Sequence, residues 1–227
     1  MRQQFEINRR MPTADQIYHH LRNAILFWQV LPKEPISENR VSGMFGVSRS
    51  PVRTAIARLA EEGLIDVFPQ RGTFVAPIRL QAVREAQFAR LALEVALVCA
   101  AADNWTPAHA QALTESLTRQ ARHAEARDVT GFYAENETFH LIIARAAGLE
   151  GVWKTIQSVK ALWDRVGHIA NRNPRHLQAV IAEHEGVAVA LQKNDREAAR
   201  AAMTVHMSSL ANAIERLRPE HPDYFED

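Results

Sequence analysis

From Leu80 to Arg218 the chain carries helical periodicity almost without a break and offers no run that reads as a strand. Helices are predicted over 80–102, 107–126, 130–147, 149–169, 174–192 and 195–218. Their starts have physical causes. Thr106-Pro107 and Asn173-Pro174 each place a capping side chain before a proline, whose missing N–H is no loss in the first helical turn. Asn194 with Glu197 marks a third start, and Gly148 separates two other helices. Connections this short lay consecutive helices side by side and antiparallel, so this half reads as one all-α bundle. The tail from Pro219 is expected to fray.

Residues 13–77 follow a different pattern. Thr13 is predicted to cap a helix with Gln16 completing a capping box, and Ile17, Leu21 and Ile25 then form one apolar face. Ser37 caps a second, short helix holding Val41, Met44 and Phe45, which Gly46 closes. A third helix starts near Ser48 or Ser50, with Pro51 in its first turn, Val52, Ile56 and Leu59 as its buried stripe and Gly63 at its end. Two β runs follow, 65–68 and 73–76, joined by Pro69-Gln70-Arg71-Gly72 as a hairpin. Three helices and a hairpin in this order form a winged helix-turn-helix. The predicted fold is therefore mainly α: a winged helix-turn-helix over 1–78, an antiparallel helical bundle over 79–218, and a short tail over 219–227.

Composition narrows the setting. Apolar residues make up 47% of the chain, enough to bury a core. The single cysteine, Cys99, sits in the apolar run Val95–Ala102. It offers no disulfide framework and reads as a small core residue in a reducing compartment. That run is too short to span a bilayer, and MRQQFEINRR has no apolar block after its charges, so it is not a secretory signal. A soluble, cytoplasmic protein without a membrane partner is expected. The net charge of +1 divides unevenly: 10 basic and 7 acidic side chains up to Ile78, against 17 and 19 beyond it. A basic head on an acidic body suits a nucleic-acid reader joined to something else.

The third helix shows how the head would read DNA. Arg49 and Arg53 are four residues apart on a face turned away from the Val52, Ile56 and Leu59 stripe. A guanidinium fork can grip guanine O6 and N7 together or clamp a phosphate. Ser48 and Ser50 stand at the helix N-terminus, where hydroxyls and free N–H groups can hold a backbone phosphate. Arg71 rides the hairpin tip beside Gly72, and Arg40 on the second helix is expected to contact a phosphate. Isolated arginines on a helix are usually just solvated; here the turn glycine, the hairpin and the basic segment come with them.

The stretches Ile36-Ser37-Glu38, Gly46-Val47-Ser48-Arg49-Ser50-Pro51-Val52-Arg53, Leu59-Ala60-Glu61-Glu62-Gly63-Leu64-Ile65 and Gln70-Arg71-Gly72-Thr73-Phe74-Val75 resemble the DNA-binding domain of the GntR family. The resemblance implies a homodimer on a palindromic double-stranded operator. Arg49 and Arg53 would lie at the recognition helix, and the wing tip, with Arg71, Gly72 and Thr73, in the minor groove. Asn39 stands where many members carry an arginine, with Arg40 next to it.

In the bundle three histidines fall in register. If helices 130–147, 149–169, 174–192 and 195–218 alternate in direction, His140 and His184 each lie ten residues beyond the start of parallel helices. His184 and His206 flank Asp195 by eleven residues on either side. At about 1.5 Å rise per residue all three reach the same level, roughly 15 Å from the helix ends. Asn136, one turn before His140, shares its face. Three imidazoles and an amide oxygen can thus converge, a donor set that suits a divalent transition metal, zinc or nickel foremost. His109, His123, His168 and His176 are read as ordinary packed histidines.

Arg90 and Glu94, Asn136-Glu137-Thr138-Phe139-His140, Glu183-His184 and His206 resemble the FCD-type ligand-sensing domain of the FadR-like branch of the same family. The resemblance implies a metal site whose open positions receive a small organic acid, with Arg90 and Glu94 in the effector site and Arg90 pairing with the carboxylate. Metal-binding members carry an aspartate where this chain has Asn136, which brings an oxygen but no charge. By spacing alone, Arg90 and Glu94 also fit an ordinary i,i+4 surface pair. The expected function is a ligand-responsive DNA-binding repressor. The alternative, a metal-dependent hydrolase or lyase at the three-histidine site, lacks an evident general base: Glu137 and Glu183 point about 100° away from their histidine neighbours.

Overall fold

The computed structural model describes Asn8 and residues 10–227, with the backbone alone for 210–213 and 216. The N-terminal stretch read as lacking a signal lies outside the described residues apart from Asn8 and Arg10. The chain divides into two compact units, one running through Gln81 and regaining His221–Asp227, the other spanning Ala82–Glu220.

The first unit is built from α1 (Thr13–Leu26), β1 (Pro35–Ile36), α2 (Glu38–Phe45), α3 (Arg49–Glu61), β2 (Ile65–Phe68), β3 (Gly72–Val75), β4 (Ile78–Arg79) and, from the tail, β5 (Phe225–Glu226). The apolar faces of α1 and α3 pack together, burying Ile17, Ile25, Val52 and Leu59. Each such side chain stabilises the unit by roughly 1.5–3 kcal/mol relative to exposure. Ser37 caps α2 as expected, its hydroxyl accepting from the Arg40 N–H at 3.3 Å, and Gly46 closes the helix at φ +64, where a side chain would be strained.

Three expectations are corrected here. Thr13 is the first helical residue and caps nothing; extended Pro12 precedes it. The Gln16 side chain instead bonds Asn8 N–H and C=O and Met11 C=O, tying down the chain before the helix. The hairpin is part of a three-stranded antiparallel sheet in the order β1-β3-β2, with Pro35 opposite Phe74 and Ile36 opposite Thr73. A two-residue strand has no periodicity to read. The tail does not fray. A 3-10 turn, Pro222–Tyr224, leads into β5, which pairs in parallel with β4, Ile78 opposite Phe225. Tyr224 lies against Trp28 at 5.4 Å, and Arg79 bonds both Asp66 at 2.8 Å and Glu226 at 3.3 Å.

The second unit carries α4 (Leu80–Asp103, whose first two residues belong to the first unit), α5 (Pro107–Glu125), α6 (Val129–Ala146), α7 (Glu150–Val159), α8 (Ala161–Ala170), α9 (Pro174–Gln192) and α10 (Arg196–Glu220). Thr106 and Asn173 cap α5 and α9 as predicted. Asp195, not Asn194, caps α10, accepting from Ala198 N–H at 2.9 Å, because Asn194 takes a left-handed turn at φ +52. The single helix expected over 149–169 is two, interrupted at Lys160 without glycine or proline. What sits there is a lysine whose side chain is pulled into the interior. Helix α5 packs on α6 and α9, and α10 on α9 and α8. Their shared core holds Phe139, Ile143, Val187, Leu191, Met203 and the buried Cys99. No helix among the described residues is long and apolar enough to cross a membrane.

Candidate nucleic-acid interface and metal centre

On the first unit, Ser48 occupies the N-cap of α3 with extended backbone and makes no capping hydrogen bond through its side chain. Ser48, Arg49, Ser50 and Arg53 are all exposed, as are Arg40, Arg71 and Gly72, while Thr73 is half-buried in β3. Exposed Thr54 and Ala57 extend the same α3 face and were not singled out from the sequence, although their i+4 spacing from Ser50 and Arg53 marks them. Arg53 is not simply solvated: its Nε donates to Glu38 Oε2 at 3.0 Å across the turn between α2 and α3. Arg40 and Arg49 make no ion pair among the described residues. The face thus presents cations at a helix N-terminus, the arrangement that attracts phosphate.

In the second unit α6, α9 and α10 bring His140, His184 and His206 together, with one ligand atom from each lying within 4.8 Å of the others. The facing atoms are ring Nε2: His184 to His206 at 3.2 Å, and His206 to His140 at 3.4 Å. Each Nδ1 is turned outward onto an acceptor. Glu94 Oε2 abuts that of His140, Gln120 Oε1 lies 2.8 Å from that of His184, and Glu183 Oε2 lies 2.9 Å from that of His206. An acceptor at Nδ1 fixes the proton there, leaving the Nε2 lone pairs to converge. Lone pairs at such spacing repel unless a cation lies between them. Nitrogens bound at about 2.0–2.1 Å to one ion would stand about 3.0–3.4 Å apart, so the donor set fits a divalent metal. Phe139 stacks on His184 at 3.9 Å and Trp153 on His140 at 5.8 Å, holding both ring planes.

Burial keeps the His140 and His184 rings neutral. Desolvation lowers the His140 pKa to about 4 against the opposing pull of Glu94, and holds that of His184 well below its ordinary value, helped by the neighbouring histidines. Glu94 behaves oppositely. Burial alone would raise its pKa, but Arg90 and then His140 hold it well below the ordinary carboxylate range.

Other predicted residues fall in distinct places. Arg90 and Asn136 line one cleft with His140 and His206, a space of about 520 Å³ with its open mouth included. Glu94 does not line it. Arg90 and Glu94 are an i,i+4 pair, but only 4% and 2% exposed, so not a surface pair; Arg90 Nε and Nη2 both donate to Glu94 Oε1, at 2.8 and 2.6 Å. Glu183 does reach the cluster, though across to α10 and not to its neighbour His184. Glu137 faces away, toward Lys160 Nζ at 2.9 Å. His176, read as an ordinary packed residue, lines the cleft, as do Tyr133, Asp164 and Asn171. Gln120 gave no signal in the sequence, since a lone glutamine on an amphipathic helix reads as solvated.

Beside the cleft lies a buried charge network. Lys160 Nζ donates to Asp164 Oδ1 and Oδ2 at 2.7 and 2.6 Å and to the Tyr133 hydroxyl at 2.9 Å, and Tyr133 donates to Asp164 at 2.8 Å. Burial would raise the Asp164 pKa, yet Lys160 and then Arg90 lower it; Glu137 is raised, by burial first.

Comparison with known proteins bears on both units. Residues 13–75 match the model described as bacterial regulatory proteins, gntR family, and residues 85–209 match that of the FCD domain. The HTH-type transcriptional repressor RspR of Escherichia coli (strain K12) is 34% identical over 222 residues, covering 98% of this chain and 97% of that protein. Among solved structures, E. coli McbR/YncC has a TM-score of 0.77 at 21% identity, covering 91% of this chain and 99% of that one. A GntR transcriptional regulator from Rhodococcus sp. RHA1 has a TM-score of 0.75 at 22% identity, covering 89% and 97%, and like the former speaks for the fold alone. The winged unit with its exposed α3 arginines and the helical unit that follows thus make this chain a member of the gntR family of DNA-binding transcription regulators carrying an FCD domain, and not an enzyme.

Proposed function

We propose that the protein is a cytoplasmic, homodimeric repressor whose hold on a palindromic operator responds to a small carboxylate bound beside a divalent metal. The observation that carries the sensing half is the meeting of three Nε2 atoms with every Nδ1 backed by an acceptor. His140, His184 and His206 would hold zinc or nickel with Asn136 beside them, and the ion would supply open positions for an acid. Arg90 attracts that acid's charge, although Glu94 already occupies Nε and Nη2, so the carboxylate meets the rest of the fork. An acid seated there would link α4 to α6 and α10, the helices bearing Arg90, His140 and His206. The consequence would be a changed presentation of two winged units to half-sites one helical turn, or a multiple, apart. Arg49 and Arg53 would read bases, with Ser48, Ser50, Arg40, Arg71, Gly72 and Thr73 on the backbone.

Elemental analysis of the wild type and of His184→Ala, purified without chelator, tests the metal centre. Metal in the first and not in the second is expected; equal content in both would remove the site. Binding to duplexes enriched from a random pool, with and without candidate acids, tests the response, and Arg49→Ala should lose the enriched sequence while staying folded.

A further inference from the structure

The wing carries an aromatic feature that neither its core nor its turn requires. Val67 and Phe68 end β2 at 54% and 42% exposure, an apolar pair beside a basic tip. Phe68 stands opposite Gly72 in the ladder, so no side chain competes for the space across from its ring. Gly72 itself holds φ +110, and a Cβ there would touch Phe74 at 3.8 Å. Phe74 flanks Phe68 with ring centroids 6.1 Å apart. The turn is closed by Arg71 N–H donating to Phe68 C=O at 3.1 Å, with Gln70 left-handed at φ +62. The same turn folds the Arg71 guanidinium over the Phe68 ring, 5.4 Å from its centre.

The geometry points to Phe68 as the positioning residue for Arg71, a ring platform that orients this cation for the phosphate backbone of duplex DNA. A ring holds a guanidinium by its face, so all five in-plane N–H donors and the full charge stay available. Several other arginines of this unit are held by carboxylates: Arg58 also lies over a ring, that of Tyr18 at 3.9 Å, but it is paired with Asp15. Arg53 spends Nε on Glu38, and Arg79 spends its donors on Asp66 and Glu226. Arg71 is restrained without being neutralised. The inference rests on the reading of the wing as a DNA contact.

The test uses the full chain and a labelled random-sequence duplex, because phosphate contacts carry no sequence information. Arg71→Ala should weaken binding and lower the slope of log affinity against log salt by about one. Phe68→Ala and Phe68→Leu should each weaken binding about two- to fivefold, while Phe68→Trp, which keeps a π face, should bind like the wild type. Leucine preserves apolar packing on β2, so a loss there does not come from the fold. In the Arg71→Ala background, Phe68→Leu should change nothing further. Wild-type binding by Arg71→Ala would overturn the wing reading and the platform with it. Weakened Arg71→Ala beside unchanged Phe68→Leu, or an effect of Phe68→Leu that persists without Arg71, would overturn the platform alone.

Discussion

Gln120 is the most searching point at which to perturb the histidine centre, because it touches no ion and fixes one ring. It is fully buried, and its Nε2 donates to Glu135 C=O at 3.3 Å, which turns Oε1 toward His184 Nδ1 at 2.8 Å. That orientation places the His184 proton on Nδ1 and its lone pair on Nε2. Gln120→Leu keeps the volume and removes the acceptor. The Nδ1–H then lies buried without a partner, at a cost of about 1–3 kcal/mol to the metal-free fold. Loss of such an outer partner lowers metal affinity about 10- to 100-fold, or roughly 1.4–2.7 kcal/mol. Gln120→Glu retains an acceptor and should stay within a few-fold of the wild type. Zinc titration against a chromophoric chelator reads the affinities, and thermal melts of chelator-treated protein read the stability. Wild-type zinc affinity in folded Gln120→Leu would refute the view that the outward acceptors prepare this centre.

Three further outcomes are expected. Lys160→Met leaves the Asp164 carboxylate buried without its cation and should destabilise the protein by about 3–5 kcal/mol in urea unfolding, with Lys160→Met/Asp164→Leu recovering most of it; a loss under about 1 kcal/mol would dismiss the network as a source of stability. Tyr18, whose hydroxyl meets Glu62, has its pKa raised from 10.0 to about 12, by burial first and then by that carboxylate. The folded state therefore keeps a proton that the unfolded chain gives up: the stability is complete below pH 10.0 and is lost as pH rises through about 12. Solvent screening at the hydroxyl reduces the effect to about 1 kcal/mol, and the fall in unfolding free energy above about pH 10 should be shallower in Tyr18→Phe. Tyr224→Ala should cost the first unit about 0.5–1.5 kcal/mol and shift the emission of Trp28, measured against a Trp28→Phe control; unchanged emission would contradict tail docking.

Local chemistry made much of this legible. Ser37, Thr106 and Asn173 cap helices because a short side-chain oxygen satisfies N–H groups wherever the chain turns into a helix. Even the common level of His140, His184 and His206 followed from a constant rise per residue and short connections. Where two local signals competed, neighbours in space decided: Asp195 over Asn194, and Gln16 reaching back to Asn8. The interruption at Lys160 has no evident local signal, because its partners Tyr133 and Glu137 on α6 reach it only in the folded bundle.

By itself, then, the sequence determined the two-part architecture, the cationic face of α3 and which three histidines meet, all properties of period and turn. Tertiary structure alone decided what stands behind each histidine. Glu94, Gln120 and Glu183 come from three helices, and Glu183 serves His206 across an interface, not its chain neighbour His184. It also returned the tail to β4. Periodicity states the direction in which a side chain leaves its own helix or strand. Which group it meets there depends on the packing of a second element, and no local signal encodes that.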